Sequence, residues 1–383
     1  MRFHFITPVW GQTYIDAFTE LSLPTQLATG NLGNFLDDDY VTYEIVTRAE
    51  DISRIKSSRS VQFLSRHFLT EFSFIDDFDW RKHPYILMTD CYNRVMKEHT
   101  DSLTETAFFF LTADLVWSDG AFKRTREILE QGKRAVMIDA GFHVNKESFI
   151  SSFLKTFSEP DVPYIQCPPR LLLKVAFEHM HDITKSMIWD GGYIINMVPA
   201  HIYWIVGHQL MLGRSWVLHP VAARPRIKTL ATDTQGISTS PIDHEYIRLA
   251  CPNFEEVHIC TDSDEILAVE MSDAHHLHEQ ILKGRYYTRM VSNWLGRGWV
   301  NKYHLKYAKK CYWYHGYDIP PAIKAEAEEL SERLMLEIQR QVPFQQVWHQ
   351  IRKLAISSMP GPVKDYLKRK LQTLRSSKQV RSE

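Results

Sequence analysis

The segment Phe108-Phe-Phe-Leu-Thr-Ala-Asp-Leu-Val-Trp-Ser-Asp-Gly120 runs from apolar residues straight into an acid, Asp114, and turns apolar again before Ser118-Asp119-Gly120. A short apolar run of this kind reads as a strand buried on both faces, as in a parallel sheet. Open α/β sheets bind ligands beyond the carboxyl ends of their strands, so a carboxylate delivered there is placed to hold a divalent cation against a diphosphate. The matching chemistry is cleavage of a bond to a phosphate leaving group, whose growing negative charge a metal ion or cationic side chain absorbs. The structural alternative is an Asp that caps the following turn or helix.

Other residue groups compete for or complete such a site. His219-Pro220, followed by Arg224-Pro-Arg226, offers an imidazole that would join Asp114 at a metal and two guanidinium groups suited to diphosphate. The polar stretch Thr239 to Tyr246 could bring Asp243 or His244 to the same place. Asp262-Ser-Asp264-Glu265 puts three acids in four positions and is a rival metal site, or a set of surface acids at the start of an element. His179-x-His181 and His275-His276-x-His278 lack companion cysteines and an i,i+4 frame, and read as surface histidines. Two residues suit a general base: Asp190, between Trp189 and Gly191-Gly192, where an aromatic ring can stack on a sugar, and His201, three residues before Trp204. A buried Asp can equally close a local turn.

Over roughly residues 1 to 285 the chain resembles the GT-A glycosyltransferases, in which the corresponding strand ends in an Asp-x-Asp motif. The resemblance rests on the TPVWG end of the first strand, the YEIVT second strand, the helix containing Asp90-Cys-Tyr-Asn93-Arg94, and the FLTAD strand end. It implies a transferase that moves a sugar from a nucleotide-diphosphate donor to a glycan or lipid-linked acceptor, as in bacterial surface-polysaccharide assembly. Thr7, Pro8, Val9 and Trp10 would line the nucleotide, Asn93 or Asp90 would face ribose or sugar, and Asp114 would sit at Mn²⁺ or Mg²⁺. Thr112 stands where the first aspartate is expected, leaving Thr-Ala-Asp. One carboxylate still suffices for such a cation when phosphate oxygens and water complete its shell, and metal-independent catalysis is compatible too. The missing acid also suits a binding or scaffolding module that has lost catalysis, and the cluster at Asp262, Asp264 and Glu265 suits a metal-dependent hydrolase.

These residues need a scaffold, and the sequence supplies an alternation. Strands are predicted at Arg2 to Thr7, Tyr40 to Thr47, Ala107 to Leu111 and Arg134 to Ile138. Helices are predicted at Thr13 to Glu20, from Ala49 to Lys56, at Tyr85 to Glu98, and at Ala121 to Gln131 with Gly132 as its stop signal. The fold class is α/β, a Rossmann-type, mostly parallel sheet covered by helices. Residues 1–150 form the nucleotide-sugar half, 151–285 the acceptor half, and 286–383 a helical, basic and aromatic appendage containing Trp294, Trp299 and Trp313.

Composition narrows the classes. A formal net charge of −1 over 383 residues argues against nucleic acid as a partner. Five widely spaced cysteines with no CxxC pair fit a reducing, cytoplasmic setting. The apolar stretch Met187 to Leu212 is interrupted by Asp190, Gly191-Gly192, Pro199, His201 and His208 and reads as core rather than a membrane span. The basic region after Met290 and the tail Lys364 to Arg381 suit peripheral contact with an anionic membrane surface.

Overall fold

The computed structural model describes residues 1–38, 40–189, 193–226, 240–298 and 300–357, with backbone alone for 352–357. Asp190, Gly191, Gly192, Thr239, Trp299 and the tail Lys364 to Arg381 lie outside the described residues.

Among the described residues fifteen strands are formed, in chain order β1 Arg2–Pro8, β2 Val41–Thr47, β3 Leu69–Phe74, β4 Thr106–Phe110, β5 Leu115–Trp117, β6 Ala135–Ile138, β7 His143–Asn145, β8 Ile194–Asn196, β9 His201–Gly207, β10 Leu210–Ser215, β11 His219–Ala223, β12 Val257–Ile259, β13 Ala268–Ser272, β14 Ile281–Lys283 and β15 Tyr312–His315. Seven of them make the main sheet in the order β12-β6-β11-β4-β1-β2-β3. Neighbours are parallel except for β11, which runs against both β4 and β6. The chain leaves β1 toward β2 and β3 on one side and then crosses to β4 on the other, so the carboxyl ends of β1 and β4 border a topological switch point.

The apolar run of β4 is buried on both faces. Phe108 and Phe110 pack in one core cluster with Ile6, and Phe109 in another with Phe3 and Phe5, whose ring stacks on Phe109 at 4.3 Å between centroids. That two-sided burial is why the run shows no alternation. The predicted helices form over Gln12–Ala17, Ile52–Ser57, Pro84–Glu98 and Ala121–Glu130. After β1 the helix widens into a π-type turn at Phe18–Ser22 and resumes at Leu23–Gln26. Pro24 has no N–H to give the carbonyl four residues back, and the turn ahead of it opens. Strand β3 and the helix Arg59–His67 before it were not anticipated; β3 is an edge strand whose exposed and half-buried residues carry little apolar signal.

Two compact units divide the chain. The first comprises Met1–Tyr286 and Val300–Ser331, the second Tyr287–Trp299 and Glu332–Glu383. Of the residues expected in the appendage, 300–331 group with the first unit, where β15 pairs with β10. In the second unit the helix Thr288–Leu295 lies along the long helix Pro321–Ser357, with Thr288 Oγ1 donating to Glu337 Oε1 at 2.8 Å and His349 Nε2 at 2.9 Å from Asn293 Oδ1.

Candidate active site

A second, three-stranded sheet, β5-β13-β7, grows directly out of the segment that follows β4. Its middle strand places Glu270 opposite Leu115 on one side and His143 on the other. The ladder extends past β5, because the Met271 amide donates to the Asp114 carbonyl at 2.9 Å. Asp114 is thus fixed beside β13 by its own backbone, at the switch-point end of β4.

The result is a narrow cavity of about 10 Å³, room for one water-sized sphere, lined by Tyr14, Asp114, Lys146, Glu270, Asp273 and His276 among others. Ligand atoms of His143, Glu270 and His276 lie within 4.8 Å of one another. His143 Nδ1 is 2.9 Å from Ser272 Oγ and 3.4 Å from Glu270 Oε1, and Lys146 Nζ meets Asp273 Oδ1 at 3.0 Å.

Electrostatics mark this cavity out. Burial pushes the Glu270 carboxyl well above the usual carboxylate range, and the nearby Asp114 and Asp243 push it further. Asp114 and Asp243 are themselves raised, chiefly by burial. Tyr14 is pushed up to about 12 by burial and by Asp114, Asp273 and Glu270. Burial and the neighbouring His276 hold His143 well below the usual histidine range, and burial lowers His276. The set is three like-charged acids in mutual reach of neutral imidazoles, an arrangement that favours a cation or protons over free carboxylates.

A second polar group stands at the end of β6. Asp139 is buried and accepts from the Gly141 amide at 3.0 Å, Ser215 Oγ at 2.6 Å and Tyr203 Oη at 3.1 Å, with His201 Nδ1 2.9 Å away. Burial works against its charge, but His201, Ser215 and Gly141 outweigh it and hold the carboxyl below its ordinary value. The chain must pass close here: a Cβ on Gly141 would lie 2.8 Å from His201 Nδ1. His201 opposes Ser215 across β9 and β10, and it is near enough to His143 and Asp243 to shift both.

The other expected residues are distributed as follows. Thr7 is buried with its hydroxyl 2.7 Å from Tyr43 Oη, which donates to Gln26 Oε1, so its side chain faces inward. Pro8 and Val9 are buried, whereas Trp10 meets the exposed Trp80 edge-on at 5.7 Å, with the Arg48 guanidinium over Trp80. Gly11, at φ +76°, turns the chain there and donates its amide to Asp51 at 3.0 Å. Asp90 pairs with Lys82 at 2.8 Å, and Asn93 is buried in the same helix. His219 heads β11 at the carboxyl end of the parallel strands, its Nε2 bonded to the Phe110 carbonyl at 2.8 Å and its pKa lowered to about 4 by burial. Arg224 and Arg226 do not approach the site: β11 is antiparallel, so they emerge at the opposite end of the sheet, where Arg226 pairs with Glu256.

One expectation about histidines reverses. His276, read as a surface histidine, enters the cavity. Asp262 meets His315 Nε2 at 2.8 Å, Asp264 pairs with Arg170, and Glu265 with Arg124 and His258, while ligand atoms of Asp262, Asp264 and His315 lie within 4.8 Å of one another, so the rival group keeps a geometry that could hold a cation. Asp264→Ala is accordingly expected to shift stability by less than about 1 kcal/mol in chemical denaturation and to leave ligand binding intact, as for an exposed ion pair. Sequence reasoning passed over Tyr14, His143, Lys146, Glu270 and Asp273. The one signal available was Glu270 itself, an acid inside the apolar ILAVEM run.

No family model matches this chain, and no curated protein matches it. Among solved structures it is similar to a protein assigned as a glucose-1-phosphate thymidylyltransferase from Bacillus anthracis, determined in complex with a sucrose. That similarity is 14% in sequence with a TM-score of 0.24, over 38% of this chain and 59% of the other, so less than two thirds of that chain's length is spanned. A likeness this slight carries no assignment. Among the described residues no helix is long and apolar enough to cross a membrane.

Proposed function

We propose that the protein is a GT-A-type glycosyltransferase that uses a nucleotide-diphosphate sugar and a glycan or lipid-linked acceptor. The observation that carries this reading is the convergence of Asp114, from the carboxyl end of β4 at the switch point, with Glu270 and His276 in one cavity, where ligand atoms of Glu270 and His276 also lie within 4.8 Å of His143.

Mn²⁺ or Mg²⁺ is the cofactor this reading calls for, and the residues present fit a divalent cation: crowded acids raised by one another, neutral imidazoles, and space for one ion-sized sphere. Asp114, Glu270, His143 and His276 would hold it, and when bound it would neutralise charge on the departing diphosphate. His219 is left a supporting part, since its Nε2 is committed to the Phe110 carbonyl. Trp10 and Trp80, beyond the end of β1, would receive the base, with Arg48 alongside. Lys146 would offer a cation to phosphate. His201, oriented by Asp139, would take the acceptor hydroxyl proton on Nε2 while Asp139 stabilises the imidazolium that forms.

The test is calorimetry and thermal melting of the wild type and Asp114→Ala with UDP-, GDP-, CDP- and TDP-linked compounds, with and without Mn²⁺. One nucleotide is expected to raise the wild-type melting temperature, with binding at least about tenfold weaker in Asp114→Ala. Failure of all of them to bind the wild type overturns the proposal.

A further inference from the structure

Toward its end the long helix carries an apolar stripe left exposed among the described residues. Phe344, Val347, Trp348 and Ile351 are 75%, 55%, 59% and 52% exposed, in a protein whose other large apolar side chains are mostly buried. Their spacing is i, i+3, i+4, i+7, which gathers them on one face of a helix. At 100° per residue Glu337 and Gln341, which bond the neighbouring helix Thr288–Leu295, project within about 20° of Phe344 and Trp348 respectively but about two turns nearer the helix start, and His349, which meets Asn293, stands about 100° from Trp348. Beyond Gln341 the contact with that helix passes to His349, and the stripe itself stays exposed.

Charge says what suits it. From Phe344 to Glu383 the sequence holds nine Lys or Arg and two Asp or Glu, a net of +7, while the whole chain is −1. An apolar helical stripe with Phe and Trp, joined to a concentrated positive charge, matches a surface that is oily beneath an anionic layer. A nucleic acid would use the charge but not the stripe, and a second copy of this positive segment would repel it. We infer that the stripe Phe344, Val347, Trp348 and Ile351 docks the protein in the interfacial layer of an anionic lipid membrane, the basic tail supplying the electrostatic half of the contact. This inference is independent of the proposed chemistry.

The experiment is vesicle flotation of the full chain with phosphatidylcholine alone and with phosphatidylcholine plus phosphatidylglycerol, for the wild type and a Phe344→Ser, Trp348→Ser double variant. The substituted side chains are exposed, and circular dichroism and melting temperature check that the variant folds as the wild type does. The wild type should float with the anionic vesicles, release on added salt, and stay unbound with phosphatidylcholine. The double variant should lose at least about tenfold in partitioning, from the apolar area no longer buried. Equal binding to both vesicles, no flotation, or flotation unchanged in the variant each overturn the inference. So does light scattering that shows a wild-type dimer dissociated by the two substitutions, since a second copy would then occupy the stripe.

Discussion

Glu270→Gln should make the protein more stable and less active at once. Glu270 sits at the centre of β13 with Asp114 and Asp243 in electrostatic reach, and its carboxyl is held well above the usual range by burial first and those acids second. A group whose folded pKa is raised stabilises fully below its unfolded pKa, near 4.3, and that stability drains away as pH rises through the folded value. At neutral pH the wild type therefore carries the cost of crowded negative charge. The neutral amide keeps the shape and removes one charge, so the variant should gain on the order of 1 kcal/mol or more, a few degrees in melting temperature. The gap should open above roughly pH 4 and level off once the wild-type carboxyl has ionised. Mn²⁺ should raise the melting temperature of the wild type at neutral pH and leave the variant unmoved. Transfer should fall on the order of 10²–10³-fold in kcat/KM. A variant less stable than the wild type at neutral pH, still stabilised by Mn²⁺, would mean that Glu270 is an ordinary strand acid.

Much of the scaffold is legible in the sequence because its signals are local. The Phe108-Phe-Phe run can be only a doubly buried strand, Gly132 stops a helix, and the alternation of strand and helix through Ile138 dictates a mostly parallel sheet. Asp114 is singled out the same way, from its position at a strand's end. What the sequence withholds is non-local. Glu270 follows Asp114 by more than 150 residues and meets it because β13 pairs with β5; no spacing rule reaches that far. The direction of β11 is likewise invisible, so the arginines after Ala223 were read as near the site when the antiparallel strand carries them to the opposite end. His276 looks like one of several exposed histidines until the turn after β13 brings it to Glu270. The partners of the acids at Asp262 to Glu265, namely Arg124, Arg170, His258 and His315, arrive from other elements, and no local spacing announces them.

Asp139 provides the sharpest separation of structure from chemistry. Its carboxylate gathers the Gly141 amide, Ser215, Tyr203 and His201, filling the acceptor capacity of the group. Asp139→Ala would strand those partners in a buried place and is expected to cost about 3–5 kcal/mol in chemical denaturation. Because the folded pKa is depressed, the stability this carboxylate gives is present above its unfolded pKa, near 3.9, and is lost as pH falls through the folded value. Asp139→Asn is milder in shape and harsher in chemistry. An amide has one acceptor oxygen and must turn its NH₂ toward some partner; the hydroxyls of Ser215 and Tyr203 can accept, and so can His201 Nδ1 if the ring moves its proton to Nε2. That tautomer leaves Nε2 protonated and unable to act as a base. Asp139→Asn should therefore stay folded while kcat falls about 10²–10⁴-fold, and His201→Gln should show a similar loss. The two substitutions break one unit, so the double variant should be little worse than either single one, and nitrogen-15 spectra of the imidazole should show the tautomer change in Asp139→Asn. Multiplicative losses, with His201 keeping its Nδ1 proton, would reduce Asp139 to a structural anchor and leave the base to be found elsewhere.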